Sequence, residues 1–455
     1  MRKTKRLFPQ FTFYDRTGIQ KLLEREAEKG WLLEHIGYFG WKMKRIEPKK
    51  IHYAVTYFPG TSNFEPHPPE DQLRLQEFCA HAGWVLAGST AQLQVFYNEA
   101  ENPVPIETDA AIELQNIEAS ARRTHLPVYW MLLAVAVLQL WLHGSNLADD
   151  LVGTLASNTL LFTGIVSVLL LVMCLLELVG YYVWHAKAKK AVQTDGSFVP
   201  TVGFRNIELT LCALIGLTFL ALVASLERVY GVIMLVTLCG YLAIQFGVLG
   251  INKALKKLDF HAQDNKIVTI VASVVLSVLF IWVVIPILVE EVREAFPKEN
   301  QSTYTYQGHE FVSYKDELPL TLADLTGNES EKYSCYFRGN ESLIASQYNG
   351  SQHPHFDVLD QPELYYVIYE VKLPFLFEAA LHEQLHHYDD WEGMDISYRE
   401  SDADPWKADR AFTEYSGDEP QNEFLLCYGN RIIYFRCDFV LDENQMAIVA
   451  EKIGK

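Results

Sequence analysis

ASNTLLFTGIVSVLLLVMCLLELVGYYVW, residues 156–184, stays apolar for longer than a helix on the surface of a soluble domain would. A helix that crosses the hydrocarbon core of a bilayer needs roughly 20 predominantly apolar residues. Four further stretches read the same way, at 126–144, 207–226, 229–251 and 267–289. Tyr129, Trp130, Trp141, Tyr181, Tyr182 and Trp184 sit near the ends of these runs, where amphipathic rings favour the membrane interface. The expectation is an α-helical membrane region of about five spans over 126–290, with a mixed, charge-rich domain on either side.

Working outward, the short loops carry an uneven charge. Arg122 and Arg123 precede the first span. Lys187, Lys189, Lys190 and Arg205 lie between the second and third, and Lys253, Lys256, Lys257 and Lys266 between the fourth and fifth. The alternate loops hold Asp149 and Asp150 in one and Glu227 with Arg228 in the other. Lysine and arginine are retained on the cytosolic side, so this distribution predicts a cell-membrane protein with its amino terminus cytosolic and its carboxyl terminus extracytoplasmic. The basic opening MRKTKRLFPQ is not followed by an apolar core of signal-peptide length.

The formal net charge of -19 falls on the last segment. From Glu291 onward the chain has 13 Lys and Arg against 32 Asp and Glu, whereas the preceding residues balance at 25 of each. An acidic outer domain argues against nucleic acid as a partner and leaves the lipid bilayer and proteins as the expected ones. Of the seven cysteines, Cys335, Cys427 and Cys437 fall in this domain. Three is odd, so at most one internal bridge is possible there.

Residues 1–110 contain an internal repeat. EREAEKGWLLE (24–34) and EFCAHAGWVLA (77–87) both end a helical pattern in Gly-Trp-x-Leu, so that Gly30 matches Gly83, Trp31 matches Trp84 and Leu33 matches Leu86. Glycine past the last helical turn supplies a left-handed cap, and the tryptophan begins a strand that packs back on the helix. Alternating stretches before and after, FTFYD with IHYAVTYF and WKMKRIE with LQVFYN, complete two strand-helix-strand-strand units. They predict an α+β domain with one antiparallel sheet and two helices, joined to the first span by a linker helix over 111–125. Trp31 and Trp84 are read as structural.

These features resemble the bacterial membrane proteins of domain-of-unknown-function family 2812. The resemblance rests on the Gly-Trp repeat over about 8–110 and, more weakly, on the YGNRIIYF hairpin and the helix after it within 362–453. It implies a multi-span protein, often encoded near PadR-like regulators, and carries no established activity from which a site residue is transferred.

The domain over 291–455 reads as a small α+β module. EKYSCYFRG, ESLIASQYNG and PELYYVIYEV are strands, and Phe424–Tyr428 with Arg431–Cys437 form a hairpin about Gly429-Asn430, in a register that sets Cys427 against Ile432. A last helix starts at Asp442, with Gln445 as its capping-box partner. Asn-x-Ser triplets at Asn300, Asn328, Asn340 and Asn349 are read as polar loop composition.

Within it, LHEQLHHYDD (381–390) spells H-E-x-x-H. Phe377, Leu381, Leu385 and Tyr388 place it on an amphipathic helix from about Pro374 to Tyr388, with His382 and His386 one turn apart and Glu383 beside them as a base. A zinc enzyme also needs a third ligand. Asp389 stands where a glycine is wanted and Glu392 at the ligand position, while Glu400 with Asp404, and Glu414, lie in poor context. The expectation is therefore no catalytic residue and no cofactor. Zinc on His382 and His386 with Glu383 as base, in an outward-facing metallopeptidase, is one alternative. A transporter subunit built on Glu177, with Gln139 and Gln245 as further polar span residues, is another. The leading expectation is a non-enzymatic envelope sensor or signalling adaptor whose cytosolic repeat docks a protein partner.

Overall fold

The computed structural model describes residues 3–9, 11–37, 40–201, 203–226, 228–295, 300–327, 332–387 and 395–455. Packing divides the chain into two units. One comprises Met1–Gln139, Val166–Ala221 and Tyr230–Leu288; the other comprises Leu140–Ile165, Leu222–Val229 and Val289–Lys455.

The first unit begins with β1 (Thr4–Leu7), α1 (Arg16–Glu28), β2 (Trp31–His35) and β3 (Trp41–Arg45), followed by β4 (His52–Tyr57), α2 (Glu70–His81), β5 (Val85–Ser89) and β6 (Leu93–Asn98). The six strands form two antiparallel three-stranded sheets, ordered β1-β3-β2 and β4-β6-β5, rather than the single sheet expected. The edges that would have to join are β2 and β5, and each has a register break, at Leu33/His35 and at Leu86/Gly88. A bulge bends its strand and leaves a residue unpaired, so these edges pack, with Gly88 against Ile36, instead of forming a ladder.

The stretch FTFYD is not a strand. Asp15 caps α1 by accepting from the Gly18 N–H at 2.9 Å, which ends extended structure before the helix. The aromatic residues just before it turn to other partners: Phe13 stacks on His125 and Tyr14 on Trp184. Gly30 and Gly83 both have φ +82°, as the helix-to-strand turn requires.

α3 (Ala110–Ser120) runs through a π turn (Ala121–His125) into α4 (Leu126–Asp149), so the expected linker helix and first span are one 40-residue helix. Thr124 in the π turn donates to the Ser120 carbonyl and to Gln92, tying the turn to the sheet domain. α5 (Leu151–Ala156) is a short helix of the second unit. α6 (Asn158–Thr194), α7 (Arg205–Ser225), α8 (Arg228–Lys257) and α9 (Ala262–Ala295) follow. With the α3–α4 helix, these make five helices long and apolar enough to cross a membrane. Many of their apolar side chains point outward, among them Val168, Val172 and Val179 of α6 and Val274, Val278 and Trp282 of α9. Outward-facing apolar side chains of this kind are stable in a lipid solvent, not in water.

The second unit holds the hairpin β7 (Gln301–Tyr306) and β8 (His309–Tyr314), then α10 (Leu322–Thr326), β9 (Tyr333–Glu341), β10 (Ala345–Pro354) and β11 (Leu364–Val371). A single 3-10 turn (Pro374–Leu376) leads into α11 (Phe377–Leu385). β12 (Ile396–Ser401), β13 (Arg410–Ser416), β14 (Glu419–Tyr428), β15 (Arg431–Cys437) and α12 (Glu443–Ile453) complete the chain. Seven strands form one antiparallel sheet in the order β12-β13-β14-β15-β11-β10-β9. The β14–β15 hairpin pairs Cys427 with Ile432, and α12 has the Asp442–Gln445 capping box, both as the sequence indicates. Asn340 and Asn349 lie in β9 and β10, where their backbones pair with a neighbouring strand, and not in loops; Asn328 is outside the described residues.

Period-two alternation along β11 divides the sheet into two buried faces. Leu364, Tyr366 and Ile368 pack with α10 and α12 through Leu322, Leu325, Val449 and Ile453. Val367, Tyr369 and Val371 pack with α11 and α5 through Ala380, Leu381, Val152 and Ala156. The segment between the first two long helices thus supplies part of this module's core. Burying a side chain such as Val152 is worth roughly 1.5–3 kcal/mol.

The two glycine caps provide a test. A Cβ at Gly30 would lie 2.8 Å from the Ile46 carbonyl oxygen, on backbone held by the bond from Ile46 N to Gly30 O; at Gly83 the nearest atom is the Asn98 side-chain nitrogen at 3.3 Å. Both alanine variants carry the left-handed penalty of about 1–2 kcal/mol. Gly30→Ala should lower the thermal midpoint of the full-length protein further than Gly83→Ala, and equal midpoints would contradict the assignment.

Candidate functional site

On α11, the apolar stripe of Leu381 and Ala380 faces the sheet and turns His382 outward. The helix stops at Leu385, with His386 as its cap, one turn short of the expected Tyr388. His382 and His386 do come together: their rings stack with centroids 4.0 Å apart, and His386 Nδ1 lies 2.7 Å from the His382 carbonyl. Glu383 is turned elsewhere. One residue on from His382, it points around the helix to α5 and accepts from the Leu151 N–H at 3.0 Å. Among the described residues its other oxygen is buried without a partner. Burial pushes its carboxyl up to about 7, with the nearby Asp150 acting in the same direction and the Leu151 N–H in the opposite one.

Among the proposed third ligands, Asp389 and Glu392 lie outside the described residues. Glu400 is on strand β12 rather than a helix, and Asp404 follows in the connection to β13. Glu414 is buried on β13 and accepts from the Tyr398 hydroxyl at 3.0 Å. Among the described residues no group of three or more His, Cys, Asp or Glu is placed to hold a metal ion. Within the H-E-x-x-H stretch, Glu383 is the acceptor for the first N–H of α5. Asp150 accepts from the Gly153 N–H at 2.8 Å, so two carboxyl groups serve the amino terminus of that short helix. Ser342 donates to the Leu155 carbonyl at 2.6 Å and Asn158 to the Glu341 carbonyl at 2.9 Å, extending the attachment.

The first unit has a comparable joint. Asp15, besides capping α1, accepts from the Thr201 hydroxyl at 2.8 Å. Thr17 and Thr201 exchange backbone-to-hydroxyl hydrogen bonds at 2.9 and 3.1 Å. These bonds tie the start of α1 to the segment between α6 and α7. Arg16 pairs with Glu113 of α3, next to Glu107, whose carboxyl is pushed up to about 8 by burial and by Glu113. A cavity of about 210 Å³ opens there between Arg16, His52, Tyr53, Trp84, Pro105 and Glu107. Trp84 donates to the Val104 carbonyl at 2.8 Å and lines the cavity, whereas Trp31 lies under Lys5 and Arg45.

Residues 15–129 match the family described as protein of unknown function (DUF2812). The DUF2812 segment covers about a quarter of the chain. It opens on the α1 cap and ends in the first turn of α4, so it takes in both Gly-Trp turns, the Arg16–Glu113 pair and the π turn. It does not extend to 362–453, where the resemblance was also expected. Comparison with curated proteins and with solved structures found no match.

Of the polar residues in the long apolar helices, Gln139 accepts from Ser167 at 2.9 Å and Gln245 is exposed on α8. Glu177 is buried, facing Glu208 of α7 and Tyr129 of α4. Glu208 is the functional candidate that sequence reasoning passed over. It sits at the edge of an apolar run, where a carboxylate usually reaches water, and no local pattern reports that it turns inward.

The pH dependence of the α5 joint follows from Glu383. Its carboxyl keeps its proton in the folded protein to about pH 7, against an ordinary value of 4.5, so the native state binds more protons across that window. Folding stability through this group is therefore lost as pH rises from 4.5 through 7. Glu383→Gln retains an acceptor for Leu151 and removes the titration. The midpoint of the wild type minus that of Glu383→Gln should fall between pH 5 and pH 8, and parallel profiles would refute this role.

Proposed function

We propose that this chain is a non-enzymatic multi-pass membrane protein that acts as an envelope sensor or signalling adaptor. In this reading the amino terminus and the duplicated strand-helix-strand-strand domain are cytosolic and dock a protein partner, while the acidic carboxyl-terminal module is extracytoplasmic. The observation that carries the reading is the pair of joints. Each folded module is bonded into segments that connect the long apolar helices: the first through Asp15 and Thr17 to Thr201, the second through Glu383 to Leu151 and through Ser342 to Leu155. A module held in this way hands a change in its own shape to the helices, which a domain on a flexible tether does not.

Charge supports the orientation. The unit that contains the DUF2812 segment also contains Lys187, Lys189, Lys190, Arg205, Lys253, Lys256, Lys257 and Lys266, and the other unit contains Asp149 and Asp150. The matching strand orders of the two small sheets support the duplication. The two helices are not equivalent in burial: α1 buries Ile19, Leu22, Leu23 and Ala27, while α2 leaves Leu73 and Phe78 exposed. That difference supports a docking surface on the second copy.

In-membrane cross-linking of the full-length protein, followed by mass spectrometry of adducts on residues 1–120, should recover a discrete protein that Phe78→Glu no longer captures. Adducts unaffected by Phe78→Glu, together with unchanged transcription on deleting residues 1–110, would remove the basis for an adaptor. Reporter fusions at both ends should place the amino terminus inside and the carboxyl terminus outside; a cytosolic carboxyl terminus would overturn the topology.

A further inference from the structure

Among the long apolar helices, α6 and α7 bury two carboxyl groups against each other. Glu177 is 5% and Glu208 2% exposed, and their carboxyl groups face each other, with Tyr129 of α4 beside Glu177. An ionised carboxylate only accepts, so a hydrogen bond between two carboxyls requires a proton on one of them.

The polar shell around the pair is incomplete. Among the described residues Oε1 of Glu208 is buried without a hydrogen-bond partner, and the hydroxyl of Tyr14, a side chain with no exposed surface, has Thr12 beside it. That hydroxyl lies over Gly180, one turn along α6 from Glu177, where a Cβ would be only 2.9 Å away; glycine is what admits it. The titratable groups that face the pair are Tyr14 and Asp15 from the segment before α1, Tyr129 from α4 and Cys174 from α6. None of these four carries positive charge. The nearest arginine along α7, Arg205, places its guanidinium over the Phe11 ring instead. Buried charge left without a cation is costly, and a bound proton removes that cost.

We propose that Glu177 and Glu208 form a proton-binding site, holding one exchangeable proton between them, with the Tyr129 and Tyr14 hydroxyls completing its polar wall. On release the proton passes to water, and the pair gains one negative charge beside Asp15. Asp15 is the carboxylate that caps α1 and holds Thr201. Occupancy of the site is thereby linked to the seating of the DUF2812 segment, and this holds whether or not the protein is a sensor.

The test is infrared difference spectroscopy of the full-length protein in nanodiscs, stepped from pH 5 to pH 9. The wild type should show a band from a buried protonated carboxyl that disappears as the pH rises. Glu177→Gln and Glu208→Gln should each lack that band and release about one proton fewer per chain, as the removal of a shared proton requires. The exposed-site control Glu70→Gln should keep it. Should either glutamine variant fail to fold, Tyr129→Phe keeps the carboxyls and removes the hydroxyl beside them, and it should shift the band. A band identical to wild type in folded Glu177→Gln and Glu208→Gln, or unshifted in Tyr129→Phe, overturns the proposal.

Discussion

The attachment of α5 to the seven-stranded sheet is the contact on which the second unit depends. Val152 and Ala156 fill one face of the sheet beside Ala380 and Leu381, and the amino terminus of α5 is satisfied by Glu383 and Asp150. A six-residue helix is too short to be stable by itself, so it exists because the sheet buries it and two carboxyl groups accept N–H groups of its first turn. The sheet in turn needs it, since Val367, Tyr369 and Val371 would otherwise present apolar surface to water. The connection between two long apolar helices has thereby become part of a folded module.

The first unit solves the same problem by hydrogen bonding and ring packing. Asp15 serves both the helix it caps and Thr201, and the aromatic residues before it, Phe13 and Tyr14, pack on His125, Tyr181 and Trp184. One continuous core runs from Leu23, Leu33 and Met43 of the sheet domain to Leu178 and Trp184 of α6. The DUF2812 match, which runs on through α3 and the π turn into α4, follows the extent of this packing rather than the limits of the small sheets. The segment is best regarded as a sheet domain together with the helix that carries it.

In the H-E-x-x-H stretch, local spacing and tertiary packing act on different residues. Spacing alone puts His382 and His386 on one side of a helix, and their rings are together in the structure. Spacing also puts Glu383 about 100° round from them, and what lies in that direction is a matter of tertiary packing. Here it is the Leu151 N–H, 232 residues away in sequence.

Much of the architecture is legible in the residues because its causes are local. Long apolar runs define five helices, glycine after a helical turn defines the Gly30 and Gly83 caps, Gly429-Asn430 sets the register of a hairpin, and Asp442 with Gln445 starts the last helix. What the sequence left open depends on residues far apart meeting. Whether β2 and β5 join into one sheet was decided by bulges that bend both edges. The strands β7, β8, β12 and β13 emerged only as partners of other strands. That Glu208 turns to Glu177, and Glu383 to α5, was decided by packing between helices. Period and turn chemistry act over a few residues and are written in the chain itself, whereas burial of a carboxyl group is a property of its surroundings, which exist only once the chain has folded.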